Sequence, residues 1–525
     1  MSVIIGVSDG HDAGAAVIDQ DGNIISAVSE ERFSRIKHQR GIPYNSLQHI
    51  KHYLEENDLA DEMIYIAVGG IFRREKRCKE FEQAIEALFP SSPIIYIGHH
   101  LSHAASAYFT SGFNKALVIT LDAAGDGLSG SLSIGINGRI IPLYNISYIN
   151  SVGDFFASIT EFLGYKPMSD EHKVASMAAY GDSEKYLHLM REIIDIDINR
   201  LTFKNLLGFV GHRVTKYLKN KINTDINHFD LAAAAQKHLL DLVIRFFEKA
   251  IELYNIRKVV FAGGVAGNVQ LNMYLKELEL IEDLWVFPHM GDGGLPVGAA
   301  LEVLSRIKQV EGKHLYPKKL SHVYLGPQFS ENAIKETISK FKNSLNVLEV
   351  SREDEIPKLI EENKIVGLFQ GRMEFGPRAL GNRSVLANPI YEENKKWINM
   401  RKRREWFQPL APTILNENAH EYLLNSFESR FMTFAFMVTE KALTETPAIV
   451  HKDNTTRPQT LCDENPKYRE IITQVSNYIG VPIVINTSLN MHGEPIVCSP
   501  EDAIMTLKKG LVDVLFIEDF MLLKK

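Results

Sequence analysis

The order of strands and turns at the start of the chain occurs twice, and this repetition limits the folds that the chain can adopt. Three short apolar runs suited to strands are separated by an acidic glycine turn and then by the hairpin turn Asp21-Gly22: residues 3–7, 15–18 and 23–29. The same succession, with Asn137-Gly138 as its hairpin turn, follows later: residues 116–121, 131–136 and 139–143. Two unrelated hairpins could give this pattern, but the matching order favours an internal duplication.

The length of the chain predicts more than one domain. A single hydrophobic core rarely serves 525 residues, and the pattern weakens between residues 321 and 355, so we place a boundary near residue 345 and predict domains at 1–345 and 346–525. The net charge of −7 argues against a nucleic-acid or membrane surface. Three scattered cysteines, no signal-like N-terminus and no long apolar run predict a cytoplasmic protein.

Two histidines at helical spacing form the first candidate site. Residues 99–109 are rich in alanine and follow the apolar run 93–97, which predicts a helix after a short buried strand. On a helix, His99 and His103 share one face and can hold one metal ion, whereas His100 points elsewhere. The alternative is that the two histidines only pack or cap the start of the helix.

Glycine-rich turns provide further candidates. Residues 258–262 read as a strand that enters the turn 263–268 before a helix, an arrangement that can contact a nucleotide through backbone N–H groups. The turn 122–127 offers similar groups. The candidate nucleotide ligands of these two turns are Gly125, Asp126, Gly263, Gly264 and Asn268. Asp292, in another glycine turn, fits either turn chemistry or a third metal ligand.

Arginines and glycines are concentrated near the C-terminal end of the chain. The stretch 370–384 combines three arginines with three glycines, which suits recognition of a carboxylate or phosphate, and the basic run 401–404 follows it. A solvated basic face is the alternative for that run. The turn at 486–488 can bind an anion or simply cap a helix. The candidate anion ligands are therefore the cations of these two stretches and the polar side chains of the turn at 486–488.

Seven short segments carry a resemblance to a known family. They are DGHDA at 9–13, EERF at 30–33, HHLSHA at 99–104, GGVAGN at 263–268, GPRALG at 376–381, REWF at 404–407 and NTS at 486–488. These segments are distributed along most of the chain. In them the sequence resembles the ATP-dependent O-carbamoyltransferases of the nodulation-protein and antibiotic-tailoring type.

The resemblance implies a fold and an activity. The N-terminal domain would be a duplicated α/β fold of the actin and sugar-kinase type, like the universal tRNA threonylcarbamoyl-transfer protein (Kae1-like). The C-terminal domain would be an α+β fold like the threonylcarbamoyl-adenylate synthases (YrdC-like). The C-terminal domain would form carbamoyl-adenylate from carbamoyl phosphate and ATP, and the N-terminal domain would pass the carbamoyl group to a hydroxyl of a small-molecule acceptor.

The resemblance also implies a role for individual residues. The metal ligands would be His99, His103, Asp122 and Asp292. His11 would lie beside the acceptor and the carbamoyl group, and Lys37 would contact the anionic intermediate. The phosphates of carbamoyl phosphate and ATP would be bound by Arg378, Arg383, Lys402, Arg404 and Arg457, with Asn486 and Ser488. Iron(II) is the first expectation for the metal, with zinc or manganese as alternatives, and Mg²⁺ would accompany ATP.

Two other functions fit parts of the pattern. Transfer of threonylcarbamoyl to tRNA would use the same fold, but it calls for a basic face, which the acidic composition disfavours. A non-enzymatic, actin-like nucleotide-binding protein would need neither a histidine metal site nor an arginine-lined second domain. We therefore expect no nucleic-acid or membrane partner, and a homodimer is the commonest arrangement for such a protein.

Overall fold

The chain forms two compact units in the computed structural model, which describes residues 2–60, 62–71, 75–222 and 226–525. The first unit comprises Met1–Glu30 and His38–Leu320, and the second comprises Glu31–Lys37 and Ser321–Lys525. The sequence pattern predicts that residues 321–345 belong to the first domain, but in the structure they belong to the second unit. They do so because the backbone N–H of Leu325 donates to the carbonyl of Met373, and Leu345–Glu349 pairs with the strand Phe520–Lys524.

The first unit contains two five-stranded sheets and a short hairpin. Its strands are β1 Ser2–Ser8, β2 Gly14–Ile18, β3 Ile24–Ser29, β4 Met63–Gly69, β5 Ile94–Ile97, β6 Lys115–Gly125, β7 Leu128–Ile136, β8 Arg139–Ser147, β9 Ile194–Asp197, β10 Thr202–Asn205, β11 Lys258–Ala262 and β12 Asp283–Val286. Its helices are α2 Tyr44–Glu56, α3 Glu75–Leu88, α4 His99–Phe109, α5 Val152–Phe162, α6 Glu171–Ala178, α7 Leu187–Ile193, α8 His212–Lys221, α9 His228–Tyr254, α10 Val269–Glu277 and α11 Leu295–Val310.

The two large sheets have the same topology. The first has the order β3-β2-β1-β4-β5 and the second β8-β7-β6-β11-β12. In each, three strands form an antiparallel meander and two further strands add in parallel. The predicted internal duplication and α/β class are therefore confirmed, because the hairpin turns read from the sequence fix the same strand order in both halves.

Helix α11 packs closely against β1 and α4 because glycines remove side chains at both contacts. A Cβ atom at Gly6 would lie 1.8 Å from the carbonyl oxygen of Pro296, and one at Gly298 would lie 1.7 Å from the carbonyl oxygen of Ser102. Neither position tolerates a side chain without moving the backbone. This packing brings the start of α11 next to the start of α4, where the candidate metal ligands lie.

The second unit is built on one eight-stranded mixed sheet. The strands of the unit, of which all but β17 and β18 belong to this sheet, are β13 Leu345–Glu349, β14 Val366–Phe369, β15 Arg383–Ala387, β16 Pro412–Leu415, β17 Phe436–Met437, β18 Thr455–Thr456, β19 Gln459–Leu461, β20 Ile483–Ser488, β21 Val514–Ile517 and β22 Phe520–Lys524. Its helices are α1 Glu31–Ser34, α12 Glu331–Ser339, α13 Arg352–Glu361, α14 Glu393–Lys402, α15 Ala419–Tyr422, α16 Glu440–Glu445, α17 Pro466–Ile479 and α18 Pro500–Lys508.

The order of the eight strands places the candidate anion ligands at the ends of neighbouring strands. It is β13-β22-β21-β14-β15-β20-β16-β19, while β17 and β18 form a separate pair. The loop between β14 and β15 carries Arg378, and β20, which ends at Ser488, pairs with β15. No helix among the described residues has the length and apolar character needed to cross a bilayer.

A short segment from the start of the chain completes the second unit, and we call residues 31–37 the strap. Arg32 is buried and donates through Nη2 to the carbonyl of Gly376 at 2.8 Å. Arg35 donates to the carbonyls of Pro495 and Ile496 and pairs with Asp502 at 3.4 Å. The charged strap is therefore held by specific contacts to backbone that lies far away in the sequence.

Removing the Arg32 side chain is expected to loosen the loop that carries Gly376. The Arg32→Ala variant leaves a buried carbonyl without its donor, which costs about 1–3 kcal/mol. Hydrogen exchange at residues 374–383 should become roughly 5- to 150-fold faster. The control Arg40→Ala, which removes an exposed arginine close by in the sequence, should leave exchange there unchanged. Equal exchange rates in Arg32→Ala and in the wild type would show that the strap does not hold the loop.

Candidate functional sites

The side chains of four residues converge in the first unit. Nε2 of His99 and Nε2 of His103 each lie 3.2 Å from Oδ2 of Asp122 and 3.5 Å from Oδ1 of Asp292. One ligand atom from each residue lies within 4.8 Å of all the others. The histidines come from α4, Asp122 from β6 and Asp292 from the turn before α11. The structure thus brings together the four residues that the resemblance had indicated as ligands.

The backbone around Asp122 is fixed by hydrogen bonds. Ser151, the N-cap residue of α5, donates its hydroxyl to the carbonyl of Asp122 at 3.0 Å and to that of Ala123 at 2.8 Å. Oδ1 of Asp122 accepts the N–H of Ala123 at 2.7 Å. Only Oδ2 is therefore directed at the two imidazoles, so the carboxylate is oriented before any ligand binds.

Two glycines among the candidate nucleotide ligands, Gly125 and Gly264, make room for this cluster. A Cβ atom at Gly125 would lie 2.1 Å from the ring of His99. One at Gly264 would lie 2.8 Å from Oδ1 of Asp122, which also accepts the Gly264 N–H at 3.3 Å. Both glycines are therefore required for the positions of the candidate metal ligands.

The remaining candidate nucleotide ligands have structural partners. The carboxylate of Asp126 accepts the N–H groups of His99 at 2.7 Å and Ile71 at 3.0 Å. Asn268 caps α10 through its Oδ1 atom, which accepts the N–H of Leu271. At Gly263, φ is +96° and a Cβ atom would lie 2.1 Å from the carbonyl oxygen of Leu121. Nucleotide binding by these residues stays a prediction.

Buried charge dominates the electrostatics of the histidine cluster. Burial would raise the pKa of Asp122, but hydrogen bonds and charges from His103 and His99 hold it well below its usual range. Burial would lower the pKa of His103, but Asp122 and Asp292 outweigh it and raise that pKa to about 9. His100 lacks such a partner, since its Nδ1 atom contacts the Thr120 hydroxyl, and burial with the neighbouring histidines lowers its pKa to about 3.

The donor set fits a divalent cation. Ligand atoms bound at about 2.0–2.2 Å in a tetrahedral site lie roughly 3.3–3.6 Å apart, and the N–O distances of 3.2 and 3.5 Å are close to this range. The buried carboxylate of Asp122, next to the partly buried one of Asp292, also requires a compensating positive charge. Two imidazoles and two carboxylates suit iron(II), zinc or manganese. These observations support the predicted metal site.

His11 lies in a second polar cluster of the first unit. Its Nδ1 atom is 3.0 Å from Oδ2 of Asp12, and Nδ1 of His38 is 2.7 Å from Oδ1 of the same carboxylate. Burial would lower the pKa of His11, but the hydrogen bond and charge of Asp12 outweigh it, so that pKa is raised. Lys37, the other predicted catalytic residue, belongs to the strap and thus to the second unit.

A buried glutamate shapes the arginine loop of the second unit. Oε1 of Glu374 accepts the backbone N–H groups of Leu380 and Asn382 at 2.8 Å and of Arg383 at 3.2 Å. Gly381 has φ +107°, and a Cβ atom there would lie 2.2 Å from the ring of Tyr468. The loop is therefore folded around one carboxylate and presents a defined conformation at Arg378.

Burial lowers the pKa of several cations of the second unit. Burial lowers the pKa of Arg378 and of Arg404 to about 10. Burial, followed by the charges of Arg378 and Arg404, lowers the pKa of Arg457 well below its usual value, and burial with the charge of Arg404 does the same for Lys402. Arg457 therefore lies among like charges.

Two of these cations lack a counter-ion. Within the described part of the chain, Arg378 and Arg457 make no hydrogen bond or ion pair, and Nε of each is buried. Arg404 donates through Nε to the side chain of Asn399, and Lys402 donates to the carbonyl of Ser488. A cluster with unpaired, partly buried cations can be stabilised by an anionic ligand.

Arg383 is held differently from these cations. Its Nη1 atom donates to the carbonyls of Gln370 at 2.7 Å and Asn382 at 2.8 Å, and its guanidinium lies 3.6 Å from the ring centre of Phe369. The donors of Arg383 are largely committed to the loop, so a phosphate would have to compete with the backbone for them. Its predicted role in phosphate binding stays a prediction.

Asn486 and Ser488 lie within β20 rather than in the turn predicted from the sequence, and this strand contributes one open acceptor. Nδ2 of Asn486 donates to Oγ1 of Thr413 at 2.9 Å, while its Oδ1 atom is buried without a partner in the described chain. The Ser488 hydroxyl donates to Oδ1 of Asn490 at 2.5 Å. Asn486 therefore retains free hydrogen-bonding capacity, whereas the Ser488 hydrogen is already used.

Sequence reasoning missed Asp12, His38 and Glu374. Asp12 directly follows His11, and this adjacency was the available signal for it. Glu374 stands between two glycines of the arginine stretch, where a single acid is unusual. Nothing in the local pattern indicated His38, because its partner lies 26 residues away.

Comparison with known proteins assigns the chain to a family. The model for the carbamoyltransferase N-terminus matches residues 3–77 and 79–301, and the model for the carbamoyltransferase C-terminus matches residues 357–524. The chain belongs to the carbamoyltransferase family. This carbamoyltransferase is accordingly a transferase of carbamoyl groups, which confirms the general activity that the sequence resemblance implies.

Similar proteins extend along nearly the whole carbamoyltransferase chain. The uncharacterized protein MJ1051 of Methanocaldococcus jannaschii is 40% identical over 99% of this chain and 100% of its own length. Nodulation protein NolNO of Sinorhizobium fredii is 32% identical over 98% of this chain and 79% of its own length. Among solved structures, HypF of T. kodakarensis covers 59% of this chain and 48% of its own, with 13% identity and a TM-score of 0.37.

Proposed function

We propose that this carbamoyltransferase works in two steps and depends on ATP. The second unit forms carbamoyl-adenylate from carbamoyl phosphate and ATP, and the first unit transfers the carbamoyl group to a hydroxyl of a small molecule. The observation that carries the proposal is the pair Arg378 and Arg457, which are partly buried and have no counter-ion in the described chain. An anionic substrate would supply the missing negative charge.

In the first step the cations bind and orient phosphate groups. Carbamoyl phosphate, ATP and water give carbamoyl-adenylate, phosphate and pyrophosphate. Arg378, Arg404 and Arg457 neutralise charge on the transferring phosphoryl group, and Mg²⁺ accompanies ATP. Lys402, already held by the Ser488 carbonyl, adds a further positive charge. Oδ1 of Asn486 can accept the carbamoyl N–H because it has no other partner.

In the second step His11 accepts the proton of the acceptor hydroxyl. The acceptor oxygen bonds to the carbamoyl carbon and AMP leaves, giving a carbamate ester. A divalent cation bound by His99, His103, Asp122 and Asp292 would supply Lewis-acid polarisation of the carbamoyl carbonyl.

Release of pyrophosphate tests the first step. The purified enzyme should release pyrophosphate only when ATP and carbamoyl phosphate are both present, because the adenylate needs both. Omission of either should reduce the release to the background level of a reaction without enzyme. Formation of ADP and phosphate from ATP alone would contradict the scheme and would favour a kinase-like or ATPase function.

A further inference from the structure

Asp12 is placed between two imidazoles. The rings of His11 and His38 stack with centres 4.9 Å apart and an interplanar angle of 24°. Each ring directs its Nδ1 atom to a different oxygen of Asp12, at 3.0 Å from His11 and 2.7 Å from His38. Both carboxylate oxygens of Asp12 are thus in use, and the position of each ring depends on the same side chain.

The backbone is strained to make this arrangement. Asp12 has φ +52° and His38 has φ +57°. Both angles lie in the left-handed region, which residues other than glycine seldom adopt. Two backbone hydrogen bonds join the loops that carry them: Ala13 N–H to the Gln39 carbonyl at 2.9 Å and Gly41 N–H to the Asp9 carbonyl at 3.1 Å. Such conformations persist where the surrounding structure fixes them, and they cluster at functional sites.

The two ring nitrogens of His11 differ in their hydrogen bonding. Nδ1 contacts Asp12, whereas Nε2 of His11 has no hydrogen-bond partner in the described chain. A carboxylate can only accept, so in the neutral ring the proton lies on Nδ1 and the lone pair on Nε2. We propose that Asp12 and His38 are positioning residues, with Asp12 fixing the tautomer and orientation of His11 and His38 fixing Asp12.

This assignment rests on the proposed function for its chemical consequence. When the acceptor oxygen bonds to the carbamoyl carbon, the hydroxyl proton moves to Nε2 of His11 and AMP leaves with the bonding electron pair. The resulting imidazolium is stabilised by Asp12, as in other histidine–carboxylate pairs. His38 keeps the carboxylate from rotating, because it occupies the second oxygen.

The tautomer can be measured without any activity. In protein labelled with ¹⁵N-histidine at pH 9, the His11 signal, assigned by its loss in His11→Gln, should report a proton on Nδ1 and none on Nε2. In Asp12→Asn the signal should shift towards a proton on Nε2. A proton on Nε2 in the wild type would overturn the proposal, and this result would not depend on the substrates.

Kinetics then separate positioning from folding. Asp12→Asn should lower kcat for carbamoyl transfer by about 10²–10⁴-fold with little change in the KM for the acceptor. Exchange of labelled pyrophosphate into ATP should stay at the wild-type rate. His38→Ala should also lower kcat, and His38→Asn, which keeps a donor near the Nδ1 position, should restore most of it. The control His52→Ala removes an exposed histidine and should have no effect.

Two results would contradict the assignment in different ways. An unchanged kcat in Asp12→Asn would show that Asp12 does not act through His11. Metal bound in the wild type, retained in His103→Ala and lost in His38→Ala, would show that His11, Asp12 and His38 instead hold an ion, for which their donor atoms lie close enough. If the enzyme released no pyrophosphate, the two-step function would fail, while the tautomer would still decide the proposal about Asp12.

Discussion

The His103→Ala variant is expected to lose its bound metal and its carbamoyl transfer together, while it still releases pyrophosphate. His103 is fully buried, and its Nε2 atom faces both carboxylates of the cluster. Without this imidazole, two carboxylates and one histidine remain. Loss of metal polarisation is worth several kcal/mol, so the transfer rate should fall by about 10²–10⁴-fold. Elemental analysis measures the metal, and a coupled assay of pyrophosphate measures the first step.

Two companion variants make this experiment decisive. Asp292→Asn removes a charge from a partly exposed side chain and should weaken metal binding even if His103→Ala folds poorly. His52→Gln alters an exposed histidine and should keep the full metal content. Equal metal content in the wild type, His103→Ala and Asp292→Asn would show that these residues do not bind the metal.

The Arg457→Met variant is expected to be more stable than the wild type and unable to form the adenylate. Arg457 lies among like charges and has no partner in the described chain, so its charge opposes folding. Replacing it with an apolar side chain should stabilise the protein by about 1 kcal/mol, raising Tm by roughly 1–2 °C. Pyrophosphate release should fall by about 10²–10³-fold, because phosphate charge is no longer neutralised.

An arginine close to the same cluster in sequence provides the matched control. Arg401 pairs with Asp513 at 2.8 Å near the surface. The Arg401→Met variant should change stability by less than about 1 kcal/mol and leave pyrophosphate release unchanged. A fall in activity of the same size in both variants would show that general basic charge matters rather than Arg457 itself. Lower stability in Arg457→Met would show that the folded protein already compensates this charge.

The sequence predicted the features that depend on local order. The hairpin turns and apolar runs gave the duplicated sheets, because strand order in a meander follows directly from the chain. Helical spacing placed His99 and His103 on one face. Spacing could not add Asp122, because β6 and α4 are brought together only by folding. The resemblance supplied that residue, and the structure places it beside the histidines.

Other features depend on contacts over long distances in the sequence. The run of charges at 30–38 has the composition of a solvated loop, yet Arg32 is buried because its partner is a carbonyl 344 residues away. For the same reason the predicted boundary near residue 345 differs from the one in the structure, since the partners of Leu325 and Leu345 lie far away in the sequence.

Because of the strap, a single cut between the two units does not divide the chain into one polypeptide for each unit. The chain passes from one unit to the other at residue 30, at residue 37 and at residue 320, so three peptide bonds join the units. Cleavage at residue 320 alone would leave the fragments attached through buried Arg32 and its neighbours. A gene split at that point would therefore encode two polypeptides, and the second unit would be complete only after the strap of the first polypeptide had docked onto the second.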